Sequence, residues 1–104
     1  SLSDLPILNI EQTETPFYLR LDVFDQPGVL ADITRILGFQ SISIEAILQK
    51  GTSRQGHTVP IVIITHDTVE KAMNEAIQEI EALDCVQGTI RRIRLEMLGS
   101  ANAD

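Results

Sequence analysis

The residues best suited to chemistry in this chain are Asp25-Gln26-Pro27-Gly28-Val29-Leu30, and the chemistry they suit is recognition of a small anion. They follow an alternating run, Phe17 to Phe24, and lead into apolar residues at helical spacing. The first amides of a helix lack intrahelical acceptors and carry the positive end of its dipole, so a Pro-Gly bend there offers N–H donors to a carboxylate. Asp25 can either cap first-turn amides and order the loop or contact a ligand, and Gln26 shares the bend. Pro27 and Gly28 equally suit a plain tight turn, since one presets its backbone angle and the other accepts left-handed geometry.

No catalytic set accompanies this bend. His57 and His66 fall at opposite ends of one strand pattern, too far apart to share a metal, and no Cys/His spacing resembles a zinc site. Glu45 has no second carboxylate beside it for acid–base work and reads as a solvated or interface residue. Cys85 has no histidine placed near it by sequence and reads as a small buried residue. Arg91, Arg92 and Arg94 cluster on a late strand, where an exposed face balancing the Glu-rich second helix is the simpler reading and an anion site the sharper one.

The 104 residues suffice for one small domain with a core, not for a cofactor domain plus a substrate domain. A hydrophobic fraction of 43% without Trp marks a folded, aliphatic-rich chain. The net charge of -7 argues against a nucleic-acid partner, which needs clustered Lys and Arg. No apolar run reaches membrane-spanning length and no signal peptide is visible, so no membrane partner is expected. A single cysteine excludes an internal disulfide and fits a cytoplasmic location. Ser1 in place of Met suggests a piece of a longer polypeptide.

The elements that must position the bend follow from periodicity. Residues 1–16 read as a linker that docks or adds an edge strand. A strand over Phe17 to Phe24 turns Leu19, Leu21 and Val23 inward. A helix over about 27–38 carries Val29, Leu30, Ile33, Ile36 and Leu37, with Pro27 in its first turn and Gly38 ending it. A strand over about 41–50 puts Ile42, Ile44, Ala46 and Leu48 on one face and Ser43, Glu45, Ile47 and Gln49 on the other. After a turn cluster at 51–56, a nearly continuous apolar strand over about 57–66 folds back antiparallel and belongs inside the sheet, with Pro60 tolerable only near its beginning or at a bulge. A second helix, capped by Asp67 or Thr68, buries Val69, Ala72, Met73, Ala76, Ile77, Ile80 and Leu83. Ile90, Ile93 and Leu95, interleaved with Arg92 and Arg94, form a last strand, and residues 97–104 read as a frayed, disordered tail. The resulting class is α+β, a ferredoxin-like βαββαβ arrangement with a four-stranded antiparallel sheet and two helices on one face.

Tyr18-Leu19-Arg20-Leu21, the run from Asp25 to Ile33, Ser43-Ile44-Glu45-Ala46 with Gln49, and Thr65-His66 together resemble an ACT domain. More narrowly, they resemble the C-terminal regulatory ACT domains of bacterial homoserine dehydrogenases. The resemblance places the ACT domain at 17–96 behind a linker from an upstream catalytic domain. It implies an amino-acid effector, threonine, feeding back on threonine and methionine biosynthesis, and a homodimer through ACT–ACT pairing. It also implies that NAD(P) belongs to the catalytic domain: this chain has no Gly-x-Gly-x-x-Gly after a strand, so no cofactor and no catalytic residue is expected here. By position, the amides of Gly28, Val29 and Leu30 would receive ligand oxygen, Asp25 would take the amino group or hydroxyl, and Ser41, Ile42 and Ser43 of a paired domain would close the pocket. Relatives often carry a Gly before the Ile-Ser-Ile run, whereas this chain has the bulkier Phe39-Gln40-Ser41. A module that only joins subunits, without an effector, is the alternative reading.

Overall fold

The computed structural model describes residues 13–49, 51 and 57–95; the expectations for the first twelve residues, for most of the 51–56 turn and for the 97–104 tail lie outside them. The elements run β1 (Glu14–Thr15), β2 (Phe17–Phe24), α1 (Val29–Phe39), β3 (Ile44–Gln49), β4 (Thr58–Thr65), β5 (Thr68–Val69), α2 (Glu70–Glu81) and β6 (Val86–Arg94). Four strands form an antiparallel sheet in the order β3-β4-β2-β6, so the apolar β4 is internal and Pro60 sits near its start. The expected ferredoxin-like class is the observed one. The end of the expected linker docks, because β1 pairs with β5 in a small separate sheet.

Leu19, Leu21 and Val23 of β2 and Ile61 and Ile63 of β4 turn to the helices, where Ile33, Leu37, Met73, Ala76 and Ile80 meet them with essentially no exposure. Removal of these aliphatic surfaces from water is the main force holding sheet and helices together. Among the three threonines buried within the described residues, Thr65 has a direct structural role. Its Oγ1 accepts a hydrogen bond from the Phe17 amide at 3.1 Å, satisfying a buried donor where β2 begins.

Two irregularities change which side chains face the core. In β3 the register steps from Ile44 opposite Thr65 to Ala46 opposite Ile64, leaving Glu45 as an extra residue. This bulge reverses the expected alternation: Ile44 and Ile47 pack on the core, while Ala46 shares the helix-free face and Leu48 is 52% exposed. In β6 the residues Gly88, Thr89 and Ile90 oppose the single Leu21, and Gly88 takes φ of 74°. The carboxylate of Glu81, at the end of α2, accepts from the Ile90 amide at 2.7 Å and so supports this second bulge. Beyond it Ile90 is buried, while Ile93 lies opposite Tyr18 on the helix-free face and is 57% exposed.

The helix ends also depart from expectation. Gly38 lies inside α1 and does not stop it. The stop is a Schellman arrangement in which the Ser41 amide donates to Gly38 O and the Ile42 amide to Leu37 O, both at 2.9 Å. Ser41 therefore stands where glycine is customary, with φ of 61°. At α2 neither Asp67 nor Thr68 caps the helix: Thr68 is buried in β5, and Val69 is the N-cap without a side-chain hydrogen bond. Leu30, expected inward on α1, is more than a third exposed at the helix start.

Two expected outcomes follow from this packing. Ser41→Gly removes a left-handed conformation from a residue with a Cβ, so urea unfolding should show a gain of roughly 1 kcal/mol; no gain would contradict the strained stop. Cys85 is only 4% exposed. Burial, then the charges of Asp32 and Asp84, raise its thiol pKa above the ordinary value, against an opposing backbone hydrogen bond. The neutral thiol thus favours the folded state below the ordinary thiol pKa, and this contribution is lost as pH rises past it. A soluble disulfide reagent should label native Cys85 far more slowly than denatured chain at neutral pH, and equally rapid labelling of both would contradict its burial.

Candidate functional site

The bend between β2 and α1 is a type II turn dictated by its two central residues. Val29 N–H donates to Gln26 O at 3.4 Å, Pro27 occupies the position that wants its fixed φ, and Gly28 takes φ 88° and ψ -3°. A Cβ at position 28 would touch nothing within 4 Å, so backbone angle rather than space selects glycine there. Pro27 thus precedes the helix instead of forming its first turn. Gly28 is the N-cap of α1 and supplies no side-chain cap.

This geometry assigns the amides. Val29 is engaged in closing the turn, and the helical ladder opens with Asp32 N–H donating to Gly28 O at 2.9 Å. Leu30 and Ala31 fall between these two bonds, and neither their amides nor that of Gly28 donates a backbone hydrogen bond among the described residues. Of the expected donors Gly28, Val29 and Leu30, the Val29 amide is used within the turn, and Ala31 stands beside them with a further amide.

A cavity of about 240 Å³ opens over these amides. Its walls are Val23 at the end of β2, Asp25, Gln26 and Gly28 to Ala31 from the bend and first helical turn, Gln49 at the end of β3, and Ile61 of β4. Asp25, Gln26, Gly28, Val29 and Leu30 of the expected set are therefore gathered in one cleft. The other expected residues are at the far end of α1. Ile42 is buried in its own core, Ser41 forms the helix stop, and Ser43 O accepts from the His66 amide at 2.9 Å. Within one chain they do not line this cleft; they could border it only from a second copy.

Gln49, Ile61, Val23 and Ala31 were not singled out as site residues by their types. Register explains the first two: Gln49 and Ile61 are partners on β3 and β4, and the β3 bulge turns Gln49 toward the helix side of the sheet. The combination of amide donors, a carboxylate, two carboxamides and an apolar floor can bind a small zwitterion, with carboxylate oxygens on the amides and an ammonium on Asp25.

Among the described residues no titratable side chain besides Asp25 lines this cleft. Glu45 and His66 approach to 3.9 Å with both side chains more than half exposed, so their pairing contributes little. Asp32 and Arg35 form a similar exposed pair on α1. Among the described residues no group of three or more His, Cys, Asp or Glu side chains could hold a metal, and no helix is long and apolar enough to cross a membrane.

Comparison with known proteins follows the same geometry. The family model for the ACT domain matches residues 17–84, from the first residue of β2 to the end of the α2 connection. The chain is 50% identical over 97 residues to a homoserine dehydrogenase of Methylobacillus glycogenes, covering 93% of this chain and 24% of that protein. It is 46% identical over 98 residues to the homoserine dehydrogenase of Pseudomonas aeruginosa, covering 94% and 23% respectively. The chain thus spans about a quarter of the length of these relatives. Among solved structures, a homoserine dehydrogenase from Thiobacillus denitrificans superposes with a TM-score of 0.77 at 54% identity, over 88% of this chain and 20% of that one. The ACT domain of a GTP pyrophosphokinase from Chlorobium tepidum superposes with a TM-score of 0.62 at 14% identity, over 78% of this chain and all of that one, a likeness of fold alone. The Pro-Gly turn that opens α1, the split βαβ sheet around it and the family match place this chain in the ACT domain family, in the form found within homoserine dehydrogenases.

Proposed function

We propose that this chain is the amino-acid-sensing regulatory part of a homoserine dehydrogenase, with threonine as its effector and feedback control of aspartate-family amino-acid biosynthesis as its role. The observation that carries this reading is the cleft over Leu30 and Ala31, which combines anion-binding amides with a carboxylate and an apolar floor. Threonine matches it group by group. Its carboxylate suits the helix start, its ammonium suits Asp25, its hydroxyl is within the chemistry of Gln26 or Gln49, and its methyl suits Val29 and Ile61.

Regulation then follows from differential affinity. An effector held between two copies, with Ser41 to Ser43 of one copy facing the cleft of the other, favours the paired arrangement and shifts the attached enzyme toward the state compatible with it. In this reading the chain supplies binding and no catalysis. Hydride transfer with NAD(P) belongs to the upstream catalytic domain, in keeping with the relatives being dehydrogenases about four times longer. A cytoplasmic setting agrees with the single, buried cysteine.

Threonine should raise the melting temperature of the chain saturably, because a ligand bound only to the folded state adds about 2.7 kcal/mol at a hundred times its Kd. Isoleucine, methionine and serine are the comparison ligands in the same calorimetric titration. A chain that sediments as a dimer and shows no thermal or calorimetric response to any of them at millimolar concentration would instead favour the purely structural dimerisation module.

A further inference from the structure

A second polar cleft lies on the helix-free face of the sheet, away from the amides of α1. There the register sets Arg20 of β2 directly opposite Arg91 of β6. Like charges in that position repel one another, which favours an anion between them. Both side chains are exposed, and among the described residues neither forms an ion pair or hydrogen bond through its side chain. The contrast lies within the same strand: Arg92 and Arg94 point to the helix side, where Arg92 meets Asn74 Oδ1 and Arg94 approaches Glu70 at 3.9 Å. Helix balancing thus accounts for two of the clustered arginines and leaves Arg91 without that role.

The bulge at Gly88 to Ile90 gives this face its shape. By placing extra residues against Leu21, it opens a cavity of about 140 Å³ lined by Arg20, Asp22, Thr89 and Arg91. The lining side chains are all polar: two guanidinium groups, one carboxylate and one hydroxyl. We propose that this cleft binds a small molecule carrying two carboxylates and one ammonium, the charge pattern of an acidic amino acid.

The argument is charge matching. Each guanidinium offers a planar fork suited to one carboxylate, and Asp22, two residues along β2 on the same face as Arg20, offers the complement to an ammonium. The three protein charges sum to +1 and an acidic amino acid carries -1, each charge meeting its opposite. A neutral zwitterion would leave one arginine unmatched. A phosphate dianion would bring its excess charge against Asp22. The Thr89 hydroxyl can donate to whichever carboxylate lies over the bulge. This site uses none of the residues of the α1 cleft, so it stands or falls independently of threonine sensing.

The test is a titration of the 104-residue chain with L-aspartate and with L-glutamate at low salt, followed by amide and arginine Nε–H NMR shifts, with succinate, phosphate and threonine as controls. Saturable shifts at Arg20, Thr89 and Arg91 are expected, weakened about tenfold by Arg91→Gln or Arg20→Gln and weaker still in succinate, which lacks the ammonium. The folded state of each variant is read from the same spectra, and these exposed positions lie outside the core. Absence of saturable shifts, binding unchanged in both arginine variants, or succinate and phosphate binding as tightly as aspartate would each overturn the proposal. Threonine shifts confined to Leu30 and Ala31 would report the other cleft and leave this result readable on its own.

Discussion

The left-handed backbone at Gly28 is the constraint from which the binding cleft follows. With Pro27 before it, that one conformation turns the chain by a type II bend from the end of β2 directly into α1. The bend uses the Val29 amide internally and brings the next two amides to the mouth of a cavity floored by Ile61 and walled by Gln49. Any residue with a Cβ at position 28 would adopt this φ at a cost of about 1 kcal/mol even though the space around it is open. The direction in which the helix dipole points is thus set by two residues, while the rigidity of the direction is set by the aliphatic core behind them.

The same economy of special backbone positions recurs elsewhere. Ser41 ends α1 in a conformation that glycine would adopt more readily, and Gly88 starts the bulge that shapes the opposite face of the sheet. Each irregularity is stabilised by a nearby contact: the Schellman hydrogen bonds close the first, and the Glu81 carboxylate on the Ile90 amide supports the second. The regular strands between them pack the core, and the irregular residues set what is offered to ligands and to neighbouring chains.

Much of the fold was legible in the sequence because burial repeats along it. Leu19, Leu21 and Val23 alternate, Met73, Ala76, Ile77 and Ile80 recur at helical spacing, and both patterns place their residues in the core. The bend was legible because Pro-Gly has a narrow set of conformations. What escaped were register and caps. A bulge at Glu45 is invisible to an alternation count, so Ile47 and Leu48 exchanged faces. Gly38 looked like a helix stop because glycine usually is one, but the hydrogen-bonding geometry placed the stop at Ser41. Gln49 and Ala31 joined the cleft through pairing and helix phase, which no residue type announces.

The central claim is that the helix-start amides receive the carboxylate of an amino acid, and amide NMR of the chain during a threonine titration tests it most directly. The account predicts that Leu30 and Ala31 show the largest saturable 1H and 15N shifts, with the side-chain amide of Gln49 following the same curve. Saturation that leaves Leu30 and Ala31 unmoved while shifting residues elsewhere would contradict it.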